Sequence, residues 1–174
     1  VTLKLPNGQE IKGEYDMELN GKIDDVKSAS PWSYRNKFEN FETLKSGDAF
    51  GYISQLVGYA EGAGKDVGGW WVVNKANGEF KYVPADGVDK EEELDKIQNL
   101  VDYIDNDEPF ERCFEPEPET FYKKPTGNMV LPQECKFCSF KHKCHTGLQS
   151  LPSIPSKALN PPIVDYVYIG DSNA

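Results

Sequence analysis

The stretch GEYDMELNGKIDDVKS, residues 13–28, predicts a β-hairpin that gathers carboxylates on one face. Asn20-Gly21 is a strong signal for a two-residue type I′ turn, because both residue types accept positive φ angles. This turn would place Asp16 opposite Asp25, with Lys27 two residues further along the same face. Like charges at that spacing repel each other, and a divalent ion such as Mg²⁺ would turn the repulsion into attraction. The hairpin alone leaves open the alternative of an ordinary polar face in solvent.

The two faces of this hairpin carry different side chains, because side chains alternate along a strand. One face collects Glu14, Asp16, Glu18, Ile23, Asp25 and Lys27. The other face collects Tyr15, Met17, Leu19 and Val26, with Lys22 and Asp24 as charged exceptions. We expect the second, more apolar face to cover the core.

The composition is that of a globular chain. Its 174 residues are 38% hydrophobic and 28% charged, which suffices for one domain with a core and a small appendage. It contains no apolar run of about 18 residues and no basic-then-apolar signal segment, so we expect no membrane partner and a cytoplasmic location. The chain begins at Val1 in a strand-like run, which leaves open that an N-terminal segment of the core is missing.

The net charge of −10 is concentrated in one segment. Residues 89–119 hold 13 acidic and 3 basic side chains, and the charges of the remaining residues cancel. The stretch 120–145 is locally basic, so the overall charge does not exclude DNA as a partner. The lysines that we predict to contact DNA phosphates are Lys123, Lys124, Lys136, Lys141 and Lys143.

The remaining elements are predicted from turn signals and apolar periodicity. The expected order is a three-stranded meander over 1–28 with turns at Asn7-Gly8 and Asn20-Gly21, helices over 32–45 and 48–61, a hairpin over 70–84 turning at Asn77-Gly78, and a helix over 89–104. Asp48 and Asp89 are the expected N-caps of the last two helices. The predicted buried positions are Phe50, Ile53, Val57 and Ala60 in the first of these two, and Leu94, Ile97, Leu100, Val101 and Ile104 in the second. This order indicates an α+β (α/β mixed-sheet) fold, followed from about residue 106 by Pro-rich sequence.

The four cysteines indicate a metal site. They are Cys113, Cys135, Cys138 and Cys144, and the last three form a C-x2-C-x5-C pattern. Without a secretory signal this clustering favours metal ligation over disulfides, with unrelated buried thiols as the alternative. By count alone, four thiolates hold a [4Fe–4S] cluster or Zn²⁺ equally well, and His142 and His145 keep a Cys/His zinc site open. The two-plus-two spacing of a zinc ribbon is absent, which favours iron–sulfur.

The hairpin motif resembles the G-x-x-D … D-x-K core of the PD-(D/E)XK nuclease superfamily, in its RecB-like branch. That branch carries a Q-x-x-x-Y helix after the lysine strand, and QLVGY supplies Gln55 and Tyr59 on one helix face. The cysteine triplet is similar to that of RecB-like nucleases with an iron–sulfur cluster. The fourth cysteine of those relatives usually precedes the nuclease motifs, whereas Cys113 follows them. Either Cys113 replaces it or an upstream segment supplies the ligand.

The resemblance implies an organisation and a set of site residues. The organisation is a restriction-endonuclease-like core over 1–112, a cysteine-bound metal subdomain over 113–150 and an extended Pro-rich tail over 151–174. Asp16 and Asp25 would bind Mg²⁺ or Mn²⁺, and Lys27 would orient the attacking water or stabilise the transition state. Gln55 and Tyr59 would position Lys27 and a DNA phosphate. Glu14 would be a further ligand or a partner of Lys27.

The function that the resemblance implies is a metal-dependent deoxyribonuclease. Its filler sequence is similar to phage-encoded single-domain exonucleases, which act on DNA ends or single strands, and a phage origin would place it in the host cytoplasm. Two alternatives remain open. One is a non-catalytic module of the same fold that binds DNA or a replication or recombination protein. The other is a zinc-stabilised binding protein without nuclease ancestry.

Overall fold

The computed structural model describes residues 1–109 and 111–170, and the chain forms two compact units, Val1–Glu108 and Pro109–Ala174. The elements of the first unit are β1 (Thr2–Lys4), β2 (Glu10–Lys12), β3 (Met17–Leu19), β4 (Lys22–Ala29), α1 (Pro31–Arg35), α2 (Phe41–Ser46), α3 (Tyr52–Ala63), β5 (Asp66–Asn74), β6 (Phe80–Pro84) and α4 (Lys90–Asp105). Those of the second are β7 (Glu117–Phe121), β8 (Lys124–Val130), a 3-10 helix (Gln133–Phe137), α5 (Lys141–Cys144), β9 (Gln149–Pro152) and β10 (Ile163–Tyr168). Mixed helices and strands confirm the α+β class.

A four-stranded mixed sheet of order β3-β4-β5-β6 organises the first unit. The Asn20-Gly21 turn has φ angles of 52° and 77°, as a type I′ turn requires, and it sets the predicted register with Leu19 opposite Lys22. β4 and β5 pair in parallel, and the connection between them carries α1, α2 and α3. A parallel pair needs such a crossover, which brings the helices onto a sheet face.

The predicted three-stranded meander over 1–28 is wrong. β1 and β2 form a two-stranded sheet of their own, and β3 pairs with β4 alone among the described strands. The Leu5 N–H bonds to the Gln9 carbonyl, so Asn7-Gly8 lies in a three-residue loop rather than a two-residue turn. Asn77-Gly78 likewise lies in a four-residue loop, because Asn74 N–H bonds to the carbonyl of Glu79.

Helix boundaries also differ from the prediction. The expected helix over 32–45 is two short helices. Asn40 is the N-cap of α2, and its side chain forms a capping box with Thr43. α3 begins after Gly51 rather than at Asp48, although both carboxylate oxygens of Asp48 accept N–H groups of its first turn. Asp89 is the N-cap of α4, as predicted.

The core lies on the face of the sheet that carries Ile23, and not on the predicted one. Ile23 is fully buried with Trp70 and Leu56, whereas Leu19 and Val26 are 44% and 45% exposed. The crossover decides this outcome, because α3 packs on the face of β4 that also carries Asp25 and Lys27. The hairpin's charged face is therefore turned toward the helices.

The opposite face of the sheet is held by a buried carboxylate. Asp24 is 2% exposed and accepts hydrogen bonds from Gly69 N at 2.8 Å, Tyr82 Oη at 3.0 Å and Trp71 Nε1 at 3.2 Å. These donors lie on β5 and β6, so one β4 side chain ties three strands together. A Cβ at Gly68 would lie 1.9 Å from an Asp24 carboxylate oxygen, which requires glycine there.

The predicted stripe of α4 is buried only in part. Leu100 and Ile104 are 60% and 52% exposed, whereas Glu93 is 5% exposed and accepts hydrogen bonds from Ser54 and Lys96. α4 packs chiefly on α3, which covers a narrower strip than the apolar pattern offers.

In the second unit, the predicted extended tail is part of a sheet. β7, β8, β10 and β9 form an antiparallel sheet in that order, so the strand at Ile163–Tyr168 is internal. Tyr166 is fully buried, and its hydroxyl donates to Glu119 at 2.9 Å while accepting from Ile154 N at 2.9 Å. Glu119 also accepts from Asn128 at 2.7 Å. Among the described residues, 113–150 and 151–170 therefore belong to one compact unit, and the range predicted as an extended tail contains β10.

Candidate active site

Two carboxylates of the first hairpin come together at the end of the β3–β4 ladder. Asp25, in β4, is 4% exposed, and Asp16 precedes β3 and is exposed. Ladder pairing ends at Met17 and Asp24, and Asp16 instead accepts a hydrogen bond from Val26 N at 2.8 Å. The Asp16 carboxylate therefore contacts the backbone of β4, although Asp16 is not paired with it in the ladder.

The electrostatics of Asp25 reflect this neighbourhood. Burial raises the pKa of Asp25, the Lys27 ammonium opposes that rise, and the nearby Asp16 carboxylate adds to it. The net pKa lies above its ordinary value, so the ionised form is unfavourable here in the absence of a further cation. A divalent ion between Asp16 and Asp25 would reverse that balance.

Lys27 links the carboxylates to the helix. Its Nζ lies 2.8 Å from Asp25 Oδ2 and donates to Gln55 Oε1 at 3.1 Å. Gln55 Nε2 in turn donates to Tyr59 Oη at 3.1 Å. The structure thus brings all five predicted site residues into one chain of contacts, running from Asp16 through Asp25, Lys27 and Gln55 to Tyr59.

The donor set suits a hard divalent cation. Asp25 Oδ2 is buried and lies 2.8 Å from the Lys27 ammonium, so a carboxylate oxygen faces the interior of the site. Mg²⁺ is commonly held by one or two carboxylates, with waters and substrate phosphate completing the octahedron. Across residues 1–109 and 111–170, no three His, Cys, Asp or Glu side chains are grouped to hold an ion. Asp16 and Asp25 are thus the protein ligands on offer, and Glu14 is exposed while Lys27 pairs with Asp25.

Gly13 places the β1–β2 hairpin against Tyr59. Val1 and Gly13 exchange two backbone hydrogen bonds, at 2.7 and 3.1 Å, which extend the ladder of that hairpin. A Cβ on Gly13 would lie 2.6 Å from Tyr59 Cε1, closer than real contacts allow. The glycine of the G-x-x-D motif is therefore required by the close approach of a ring, a reason that only the tertiary structure shows.

Sequence reasoning missed the aromatic surroundings of Lys27. Its ammonium lies 4.8 Å from the centroid of Tyr52, at the start of α3. Phe50, predicted to be buried, precedes the helix and is 47% exposed. The sequence signal was two aromatic residues, Phe50 and Tyr52, directly after the predicted N-cap Asp48. Helical periodicity alone had assigned Phe50 to the core.

The four cysteines lie in one neighbourhood of the second unit and are free thiols. Burial raises the pKa of Cys135, and the charges of Cys138, Cys144 and Cys113 raise it further, in that order, along with Glu134. Phe140 N–H lies 3.4 Å from Cys138 Sγ, as a donor to that sulfur. A bound cation would favour the Cys135 thiolate, which burial disfavours. The four thiols are nevertheless among the described side chains that form no ion-holding group. Thiolate sulfur is the donor type that soft metals prefer, so the residue types favour a metal here and their grouping does not.

The five predicted DNA-contacting lysines have different environments. Lys123 and Lys124 lie at the β7–β8 turn, where Tyr122 and Lys123 have φ angles of 51° and 64°. Lys136 and Lys143 are exposed. Lys141 is instead engaged in a structural ion pair, 2.8 Å from the buried Asp165 of β10.

Comparison with protein-family models, curated proteins and solved structures finds no match for this chain. Within the described residues, none of the helices has the length and apolar character needed to cross a bilayer.

Proposed function

We propose that this protein is a metal-dependent deoxyribonuclease with a restriction-endonuclease-like core, acting as an exonuclease on DNA. The observation that carries the proposal is the continuous chain of contacts from Asp16 to Tyr59. Five residues suited to phosphodiester hydrolysis converge there: Asp16 from the segment before β3, Asp25 and Lys27 from β4, and Gln55 and Tyr59 from α3. The mixed sheet, with its helical crossover between β4 and β5, supports the proposed fold.

Each side chain has a distinct role in this proposal. Asp16 and Asp25 would hold Mg²⁺ or Mn²⁺, which when bound polarises a phosphate and lowers the pKa of water. Lys27, 19% exposed at its side chain, places a cation beside the reacting phosphate, where developing negative charge is stabilised most strongly in a partly dry site. Gln55 fixes the Lys27 ammonium, and Tyr59 fixes Gln55. These two are positioning residues.

The cysteines of the second unit are proposed as the ligands of a structural centre. Cys113, Cys135, Cys138 and Cys144 would hold a [4Fe–4S] cluster, with Zn²⁺ as the alternative. Either metal would convert binding free energy into folding free energy of this unit. A brown chromophore in anaerobically purified protein would support the cluster, and a colourless protein with stoichiometric zinc would support zinc.

The test is cleavage of end-labelled single- and double-stranded DNA with Mg²⁺ or Mn²⁺. We expect Lys27→Ala to abolish cleavage, since its ammonium is the cation nearest to the paired carboxylates. Lys22→Ala is the matched control, because Lys22 lies on the same strand but is exposed on the opposite face. Cleavage that persists in Lys27→Ala, or no cleavage of any DNA substrate by the parent protein, would refute the proposal and favour a non-catalytic binding module.

A further inference from the structure

An aromatic and basic surface continues outward from Lys27. We name it the Tyr52 surface, and it consists of Lys27, Lys37, Phe50 and Tyr52. The Lys37 ammonium lies 4.6 Å from the Tyr52 centroid and 5.0 Å from the Phe50 centroid. The Lys27 ammonium lies 4.8 Å from the same Tyr52 ring. Two cations therefore share one aromatic side chain, with one of them in the proposed active site.

The rings of this surface pack on each other, and Phe50 is accessible. Phe50 and Tyr52 stack at 5.9 Å between centroids with planes 28° apart, and the buried Phe38 supports Tyr52 from 6.0 Å. Both carboxylate oxygens of Asp48 bind the first turn of α3, which fixes the backbone that carries Tyr52. Phe50 nevertheless leaves 47% of its side chain exposed. The surface combines a Tyr52 ring packed on Phe38 with a partly exposed Phe50 ring.

We infer that the Tyr52 surface binds a single-stranded DNA substrate next to the cleavage site. Lysines interleaved with exposed aromatic rings are the pattern that binds single strands, because cations contact phosphates while bases stack on the rings. A duplex keeps the faces of its bases stacked on each other, so an open Phe50 ring favours unpaired nucleotides. The surface meets the site through Lys27, so a strand lying on it would lead to the paired carboxylates. This assignment as a substrate path rests on the proposed nuclease function.

Lys37 and Phe50 have separable roles in this inference. Phe50 would stack on a base, an interaction for which removal of one aromatic ring costs about tenfold or more in affinity. Lys37 would contact one phosphate, which accounts for about 0.7 in the slope of log K against log salt for single strands. The two substitutions should therefore give different signatures.

The experiment measures binding of a labelled oligothymidine by fluorescence anisotropy, in EDTA so that no cleavage occurs. We expect Phe50→Ala to weaken binding about tenfold at every salt concentration, and Lys37→Ala to reduce the salt slope by about 0.7. Phe50→Tyr and Lys37→Arg keep the ring and the charge and should retain affinity, which separates contact loss from misfolding. Lys45→Ala and Phe80→Ala are matched controls at other exposed positions of the same unit.

Either of two results would overturn the inference. One is unchanged affinity in both Phe50→Ala and Lys37→Ala. The other is a blunt duplex that binds as tightly as the oligothymidine, together with a loss of affinity in Lys45→Ala and Phe80→Ala equal to that in Lys37→Ala and Phe50→Ala. Because cleavage is not measured, this outcome is distinguishable from failure of the nuclease proposal, for which the Lys27→Ala cleavage assay is the criterion.

Discussion

Replacing Gly13 with alanine tests how the hairpin, the helix and the site depend on each other. The new Cβ would lie 2.6 Å from Tyr59 Cε1, whereas ordinary van der Waals contact begins at 3.4 Å. The ring must therefore retreat by the difference, about 0.8 Å, or the hairpin must shift by as much. Overpacking of this kind costs about 1–3 kcal/mol of the free energy of unfolding. For a chain of this length that corresponds to about 2–4 °C of thermal midpoint for each kcal/mol.

In the proposed nuclease, the same displacement would act on catalysis. Tyr59 accepts the hydrogen bond that orients Gln55, and Gln55 accepts from Lys27, so a moved ring misplaces the ammonium. Misplacement by about 1 Å lowers rates by up to about 100-fold. We expect Gly13→Ala to lose DNA cleavage even where it remains folded.

The assay is urea unfolding followed by circular dichroism, with Gly47→Ala as control. Gly47 has a φ of −131°, and its added Cβ would meet nothing closer than the Thr43 carbonyl at 3.9 Å, so that change should be neutral or stabilising by less than about 1 kcal/mol. In Gly13→Ala/Tyr59→Ala the methyl group meets no ring, so the losses should be less than additive. Equal stability of Gly13→Ala and Gly47→Ala would refute this packing argument. Strict additivity of the Gly13→Ala and Tyr59→Ala losses in the double variant would also refute it.

Three further predictions concern charges and metal ligands. In metal-free buffer near neutral pH, Asp25→Asn should raise the thermal midpoint, because a raised pKa means that the ionised Asp25 destabilises the fold above the ordinary carboxyl pKa. Added Mg²⁺ should then stabilise the parent protein and not the variant. A lower thermal midpoint of Asp25→Asn would contradict this reasoning. Burial tends to raise the pKa of Asp165, but hydrogen bonds from Lys141 and Ser150 outweigh it, and the pKa is lowered. The carboxylate therefore stabilises the fold above its ordinary pKa, and this contribution is lost as the pH falls through the lowered pKa. Asp165→Asn should cost about 1–3 kcal/mol of the free energy of unfolding at neutral pH in urea, and an unchanged midpoint would count against the ion pair. Cys135→Ser should lose bound iron or zinc by elemental analysis and unfold at lower temperature, whereas full metal content would remove Cys135 from the proposed centre.

Local signals in the sequence predicted the parts that neighbouring residues decide. Asn20-Gly21 set the turn and hence the register that brings Asp16 toward Asp25. The i, i+4 spacing of Gln55 and Tyr59 placed both on one face of a helix, and Asp89 capped the helix that it precedes. These features depend on positive φ angles, helical periodicity and side-chain capping, each of which acts over a few residues.

Only the tertiary structure decided which surfaces meet. The parallel pairing of β4 with β5 turned the charged face of the hairpin inward, although its apolar pattern predicted the reverse. The segment predicted as a Pro-rich tail contains a strand whose Tyr166 is buried. Asp165 of that strand pairs with Lys141, which the local charge had predicted to contact DNA. The contact of Lys27 with Tyr52 likewise joins residues from a strand and a distant helix. Such outcomes depend on crossovers and on long-range packing, which no short window of sequence contains.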